Sequence, residues 1–247
     1  MLGLPAGIRA CLFDLDGVLT DTASVHAAAW KATFDTLLRV RAQATGDAFV
    51  PFDAVEDYRR YVDGRPRLDG VRTFLAARGI TLPEGSTTDG PSAATVAGVG
   101  TRKNELVLAA LQAHAVPAYE GSIAYVRAAR DAGLRCAVVS SSANTRPVLA
   151  SAGIETLFDV YVDGLVAAER RLRGKPAPDT FLAAAEALGV PAAQAAVFED
   201  ALVGVQAGRA GAFGYVVGVD RAGQADALRE HGADIVVRDL RELLGAT

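Results

Sequence analysis

The sequence predicts an α/β protein: a Rossmann-like, mostly parallel sheet core with an all-helical cap inserted after the first strand. Three observations predict it. An apolar run at residues 8–13 ends abruptly in acidic residues. No confident strand pattern occurs over residues 22–116. From Pro117 onward, short apolar runs rich in strand formers alternate with helical periodicity. That alternation builds βαβ units and a parallel sheet covered on both faces.

Each element follows from its residues. Residues 8–13, broken only by Arg9, are rich in strand formers and too short for a typical helix, so they read as a buried strand. Gly17 allows a sharp turn just beyond it. Val25, Ala28, Ala29, Ala32, Phe34 and Leu37 recur at helical spacing and predict an amphipathic helix over 24–38. Residues 41–51 read as a loop containing Gly46 and Pro51. Asp53 is a candidate N-cap for a helix through Val55, Tyr58, Tyr61 and Val62, broken at Asp63, Gly64, Arg65 and Pro66. A helix over 68–78 is closed by Gly79. Residues 84–100 are poor in large apolar side chains and predict a mobile loop, followed by a helix over 101–114. The second half predicts helices at 122–132, 145–152, 178–188, 201–210 and 222–231, and strands at 134–139, 158–162, 195–198, 215–219 and 235–237. The predicted domains are therefore a core of 1–21 with 117–247, and a cap of 22–116.

Composition narrows the function classes. Hydrophobic residues make up 51% of the chain, enough for a sizeable core, and the charged fraction of 22% is ordinary. A net charge of −4 gives no reason to expect nucleic acid or an acidic membrane as partner. Cys11 and Cys136 lie inside apolar strand-like runs, with no C-x-x-C or neighbouring histidine, and read as reduced core residues. The N-terminus lacks a signal peptide's apolar stretch, and no run approaches the ~18 apolar residues of a spanning helix. A cytoplasmic protein is expected.

The chemistry gathers where strands end. Asp14 and Asp16 would converge beyond the first strand, where they repel unless a cation or a shared proton lies between them. A hard divalent ion such as Mg2+, held by carboxylates and a substrate phosphate, suits that pair. A solvated acidic turn is the other reading of so short a motif. In parallel sheets, ligands bind outside the carboxyl ends of the strands. Two further predicted strands run into polar groups there: Ser140, Ser141 and Ser142, and Glu199 with Asp200. A serine there alone would read as a helix cap. Together the three strand ends, with Lys175, make a mouth that would attract Mg2+ and a phosphate. A carboxylate facing such a phosphate can attack phosphorus and become an aspartyl phosphate.

These residues resemble the four motifs of the haloacid dehalogenase superfamily of phosphotransferases, in order and along essentially the whole chain: DLDGV at 14–18, Ser140, Lys175 within GKPAPD at 174–179, and FED at 198–200. LFDLDGVLTDTA with His26, AWK at 29–31, RKN at 102–104 and SSSAN at 140–144 are most similar to that superfamily's sugar-phosphate mutases. The resemblance implies a helical cap and a Mg2+-dependent exchange of glucose 1-phosphate and glucose 6-phosphate through a bisphosphate. A small sugar-phosphate phosphatase is the alternative. Asp14 is implied as nucleophile and metal ligand, and Asp16 as general acid and base whose carbonyl binds the metal. Asp200 is implied as a ligand, with Glu199 ligating or supporting it. Ser140 and Lys175 would hold the transferring phosphoryl group. Arg67, Lys103, Ser142 and Asn144 would serve a second phosphate, and Thr22, Trp30 and Gly64 would lie at the substrate. His26 would bond the hinge so that cap closure readies Asp16. Read from spacing alone, Arg67 and Lys103 are solvated surface charges, and the basic stretch Arg170, Arg171 and Arg173 has no functional reading beyond a solvated surface. Arg65 and Pro66 depart from the mutase pattern and leave the sugar open. The expected partner is a small sugar phosphate, with no nucleic acid or membrane, and the expected state is a monomer.

Overall fold

The computed structural model describes residues 1–113 and 116–245. The chain divides into two compact units: Met1–Asp21 with Val116–Thr247, and Thr22–Ala115. The predicted end of a helix at residue 114 falls outside the described residues.

The first unit is built on six parallel strands, β1 Ala10–Phe13, β2 Arg135–Val139, β3 Val160–Val162, β4 Ala195–Glu199, β5 Tyr215–Val219 and β6 Ile235–Val237, in the order β3-β2-β1-β4-β5-β6. β1 is central: Cys11 pairs with Cys136 on one side and Ala196 on the other. Every β1 side chain is buried, as expected of a parallel strand covered on both faces. Ala10 and Leu12 face one way, joining Phe181 and Ala184 of α7 (Asp179–Leu188). Phe13 faces the other way and stacks on Phe198 with ring centroids 4.5 Å apart, beside Tyr125 of α4 (Glu120–Asp131). Both cysteines are free and buried, and burial pushes the Cys11 thiol up, which suits an inert core residue. The remaining helices are α5 Thr145–Ser151, α6 Gly164–Glu169, α8 Leu202–Ala210 and α9 Ala225–Glu230. α6 was not predicted. Its N-cap is Asp163, whose carboxylate accepts the Leu165 and Val166 N–H groups, and the run is too short to show periodicity. Arg170 and Arg173 downstream are exposed and pair with Glu186 and Asp179, so that stretch is surface.

The second unit is helical, with no strand among the described residues: α1 Ala23–Thr45, a π turn at Tyr58–Val62, α2 Arg67–Ala77 and α3 Val96–Ala113. α1 runs past the predicted residue 38 because Arg, Ala and Gln continue it well, and it stops only at Gly46, which adopts φ 77°. Asp53 does cap, accepting the Val55 and Glu56 N–H groups at 2.8 and 2.7 Å, but only one π turn follows. α3 begins five residues earlier than predicted, where the Thr95 hydroxyl accepts the Gly98 N–H. The stretch before it, expected to be mobile, is tied by Thr95 to Asp89 at 2.6 Å and by Arg102 to the Pro91 carbonyl at 2.9 Å. Low hydrophobicity there reflects polar anchoring.

This unit's core is aromatic. Phe34 is fully buried, stacks on Trp30 at 5.0 Å and meets Phe74 at 4.0 Å and Phe52 at 5.3 Å. Truncating it leaves a cavity that its stacked neighbours cannot refill. Phe34→Ala is expected to cost ~3–5 kcal/mol in denaturant unfolding. Leu106→Ala, at an exposed position, should change stability by about 0.5 kcal/mol or less. Equal costs would overturn the assignment of Phe34 as the centre of this core.

Candidate active site

The sheet order reverses between β1 and β4, because β1 connects onward to β2 on one side while β5 and β6 extend the other. Such a switch point opens a crevice beyond the carboxyl ends of the two strands. Asp14 follows β1, and Glu199 and Asp200 end β4, so both acidic motifs stand at this crevice. The Asp14 N–H donates to the Phe198 carbonyl at 2.9 Å, which locks the two strand ends together.

The carboxylates of Asp14, Glu199 and Asp200 are all buried, and one oxygen from each lies within 4.8 Å of the others. At that spacing two like charges repel by about 3–4 kcal/mol at an effective dielectric of ~20. One cation sits among them. Lys175 Nζ donates to Asp14 Oδ1 and to Glu199 Oε1, each at 2.5 Å, and to the Val139 carbonyl at 3.2 Å. Burial alone would lower the Lys175 pKa, but the Asp14 and Glu199 charges outweigh it and hold the ammonium above the usual lysine range. Burial pushes the Asp14 carboxyl up; Lys175 opposes this, while Glu199 and Asp16 add to it. Three buried carboxylates, two of them bonded to Lys175, form a hard-oxygen donor set that suits a divalent cation. Asp14 and Asp200 are the residues best placed to hold it. Glu199 has both oxygens engaged, one by Lys175 and one by the Ala201 N–H at 3.0 Å.

Two glycines make the pit possible. Gly17 adopts φ +83°, and a Cβ there would lie 1.8 Å from Asp200 Oδ2; a Cβ on Gly204 of α8 would lie 1.8 Å from Glu199 Oε1. Asp16 sits in the turn that Gly17 permits, closed by Gly17 N–H to the Thr20 carbonyl at 2.8 Å and Leu19 N–H to the Leu15 carbonyl at 2.9 Å. Beyond β2, the Ser140 hydroxyl accepts the Ser142 N–H and the Ser142 hydroxyl accepts the Asn144 N–H, each at 3.1 Å. The Ser142 carbonyl is held by Thr145 and by the Gly164 N–H, both at 2.9 Å. The serine row is thus a built loop, with Ser140 only 2% exposed.

The second unit carries its own constellation. Lys103 is 6% exposed, and its ammonium lies 5.0 Å from the Trp30 ring centroid and 2.9 Å from His26 Nδ1. An ammonium only donates, so Nδ1 accepts and the imidazole proton belongs on Nε2. Arg67 Nη1 donates to Asn104 Oδ1 at 2.5 Å, and burial lowers the Arg67 pKa. Gly100 leaves room for that arginine, since a Cβ there would meet Leu68 at 2.7 Å and Arg67 Nε at 3.5 Å. Neither Arg67 nor Lys103 is the solvated surface charge that spacing alone suggests. Trp30, expected at the substrate, is 3% exposed, stacked on Phe34 and beside the Lys103 ammonium. Thr22 is buried just before α1, and Gly64 adopts φ 66° in the turn before α2. Sequence reasoning missed Asn104, although RKN contains it. It also missed Arg221 and Gln224, which lie just past β5 at the same sheet edge as the acidic motifs; that position was the available signal.

The chain belongs to the haloacid dehalogenase-like hydrolase family, whose model matches residues 8–211. Within that class it is 57% identical over 247 residues to the beta-phosphoglucomutase of Mycobacterium tuberculosis (strain CDC 1551 / Oshkosh), covering 99% of this chain and 94% of that one. The beta-phosphoglucomutase of Bacillus subtilis (strain 168) is 28% identical over 236 residues, covering 96% and 92%. The solved structure of beta-phosphoglucomutase from Clostridium difficile matches with a TM-score of 0.74 at 23% identity, over 96% of this chain and 93% of that one, a likeness of fold.

Lys175→Met strands two buried carboxylates without their cation. In the presence of a chelator it is expected to lose ~3–5 kcal/mol of stability, part of which Mg2+ or Mn2+ should restore by binding the folded state. A variant as stable as the parent, with no response to either ion, would overturn the charge balance drawn for the pit.

Proposed function

We propose that this chain catalyses the Mg2+-dependent interconversion of beta-D-glucose 1-phosphate and glucose 6-phosphate through an aspartyl-phosphate enzyme and a glucose 1,6-bisphosphate intermediate. One observation carries the reading: identity of 57% to a beta-phosphoglucomutase runs over 99% of this chain, and so across both units. A small sugar phosphate is the substrate. No described helix is long and apolar enough to cross a membrane, and a cytoplasmic monomer goes with the proposal.

The residues are assigned as follows. An Asp14 carboxylate oxygen attacks phosphorus, the bond from phosphorus to the sugar oxygen breaks, and Asp16 gives its proton to that departing oxygen. In the return direction Asp16 takes the proton from the other sugar hydroxyl, whose oxygen attacks phosphorus and frees Asp14. Lys175 and Ser140 bind the equatorial oxygens of the group in transfer, and positioning plus charge neutralisation supply most of the rate. Mg2+, held by Asp14, Asp200 and the Asp16 carbonyl with Glu199 in support, would neutralise phosphoryl charge. Because the bisphosphate must present either end to Asp14, a second phosphate needs its own cations. Arg67 and Lys103 are assigned to it, with Ser142 and Asn144. Their burial supports this: Lys103 is 6% exposed and burial lowers the Arg67 pKa, so an anion meeting either cation competes with little water. His26, joined to Lys103, retains the role of linking substrate binding to the readiness of Asp16, which would limit attack by water. Thr22 and Gly64 are assigned to the substrate's surroundings, and Trp30 to the support of Lys103.

Isomer formation and phosphate release from beta-glucose 1-phosphate, measured with and without bisphosphate primer, test this reading. Primer-dependent isomer formation should dominate, and both Asp14→Ala and removal of Mg2+ should abolish it. Arg67→Ala should lower isomer formation at least ~10-fold, more than it lowers phosphate release, since one lost charge-assisted contact is worth about 1.5–3 kcal/mol. Fast phosphate release without isomer would replace the mutase by a sugar-phosphate phosphatase.

A further inference from the structure

The five residues after β5, Asp220 to Gln224, reach both acidic loops of the first unit. Arg221 Nε donates to the Gly17 carbonyl at 2.8 Å, on the residue next to Asp16. Its Nη1 donates to the Arg238 carbonyl at 2.7 Å, and its guanidinium carbon lies 3.7 Å from the Tyr119 ring centroid. Tyr119 in turn gives its hydroxyl proton to Asp21 Oδ1 at 3.0 Å and its N–H to the Leu19 carbonyl at 3.0 Å. From the same loop, Gln224 Nε2 donates to the Asp200 carbonyl at 3.0 Å, while the Gln224 N–H is fixed by Asp220 Oδ1 at 2.7 Å. One short loop therefore holds the main chain beside Asp16 and the main chain of Asp200.

We infer that Arg221 is a positioning residue for Asp16: its fork, stacked on Tyr119, fixes the Gly17 peptide and so the direction of the Asp16 side chain. Gly17 has no side chain to define its own peptide plane, and its positive φ is open to a glycine in more than one orientation. The carbonyl Arg221 holds belongs to the Gly17–Val18 peptide, while the Asp16–Gly17 peptide is tied by its N–H to the Thr20 carbonyl at 2.8 Å. Without Arg221 the far side of the turn can rotate about Gly17 and loosen the aim of Asp16. A planar, stacked guanidinium with fixed donors suits the task where a lysine ammonium does not. The Asp200 main chain has its own donor in Gln224, so losing Arg221 should disturb the acid and base more than the nucleophile.

The inference rests on the assignment of Asp16 as proton donor, and the test separates the two. Single-turnover release is measured from glucose 1-phosphate, whose leaving oxygen needs a proton, and from p-nitrophenyl phosphate, whose leaving group does not. Arg221→Ala is expected to slow the sugar phosphate about tenfold or more, with KM within about twofold and p-nitrophenol release nearly unchanged. Arg221→Lys, which keeps stem and charge but not the stacked fork, should fall between and serves if the alanine variant does not fold. Equal loss on both substrates, or no loss on either, overturns the positioning role. Asp16→Asn is run in parallel. If it shows the leaving-group difference and the Arg221 variants do not, only the inference falls; if Asp16→Asn itself shows none, the proton-donor assignment falls first.

Discussion

The bridge from Lys175 to Asp14 and Glu199 is the interaction on which the first unit's chemistry depends. Three buried carboxylates at the end of two strands would be intolerable alone. The ammonium makes the arrangement stable enough to exist, and the cluster of carboxylate oxygens around it is what would draw in a divalent cation and, through it, a phosphate. Its short contacts also orient Asp14, so one side chain answers for stability and for aim. The same group is set by the turn at Gly174 to Ala177 ahead of α7, with its ammonium 4.9 Å from the Phe181 ring centroid. Core packing and site geometry therefore share an anchor.

Topology explains why the acidic groups meet at all. Asp14 and Glu199 are far apart in sequence but follow neighbouring strands, and the parallel register of Phe13 with Phe198 brings them level. The polar loop after β2 stands on the other side of β1. Close approach then demands residues without side chains at two places, Gly17 against Asp200 and Gly204 against Glu199. Their role is negative space, and no periodicity or propensity in the sequence advertises it for Gly204.

Strand periodicity and strand-end chemistry made the core readable from the amino acids. Residues 10–13, 135–139, 195–199 and 215–219 are apolar runs bounded by turn formers, and the carboxylates behind them stood out by type and place. Helix limits were less readable, because α1 continues through residues that are good helix formers without being apolar, and α3 starts at a threonine cap inside a stretch of small residues. The burial of Lys103 and Arg67 was invisible, since a sequence shows a charge but not what covers it. The contacts of Arg221 were hidden for another reason: they go to carbonyl oxygens, which every residue possesses.

The central place of β1 also fixes an order of assembly. Its two neighbours, β2 and β4, lie more than a hundred residues downstream, so during synthesis the first strand emerges with nothing to pair with. The helical unit, by contrast, is one continuous stretch of chain and leaves the ribosome before any partner of β1 does. Domains fold as units and in the order they emerge, and distant pairings are slow to close. The inserted unit is thus in a position to mature first, while the apolar strand that leads to Asp14 waits, unpaired, until β2 follows it out.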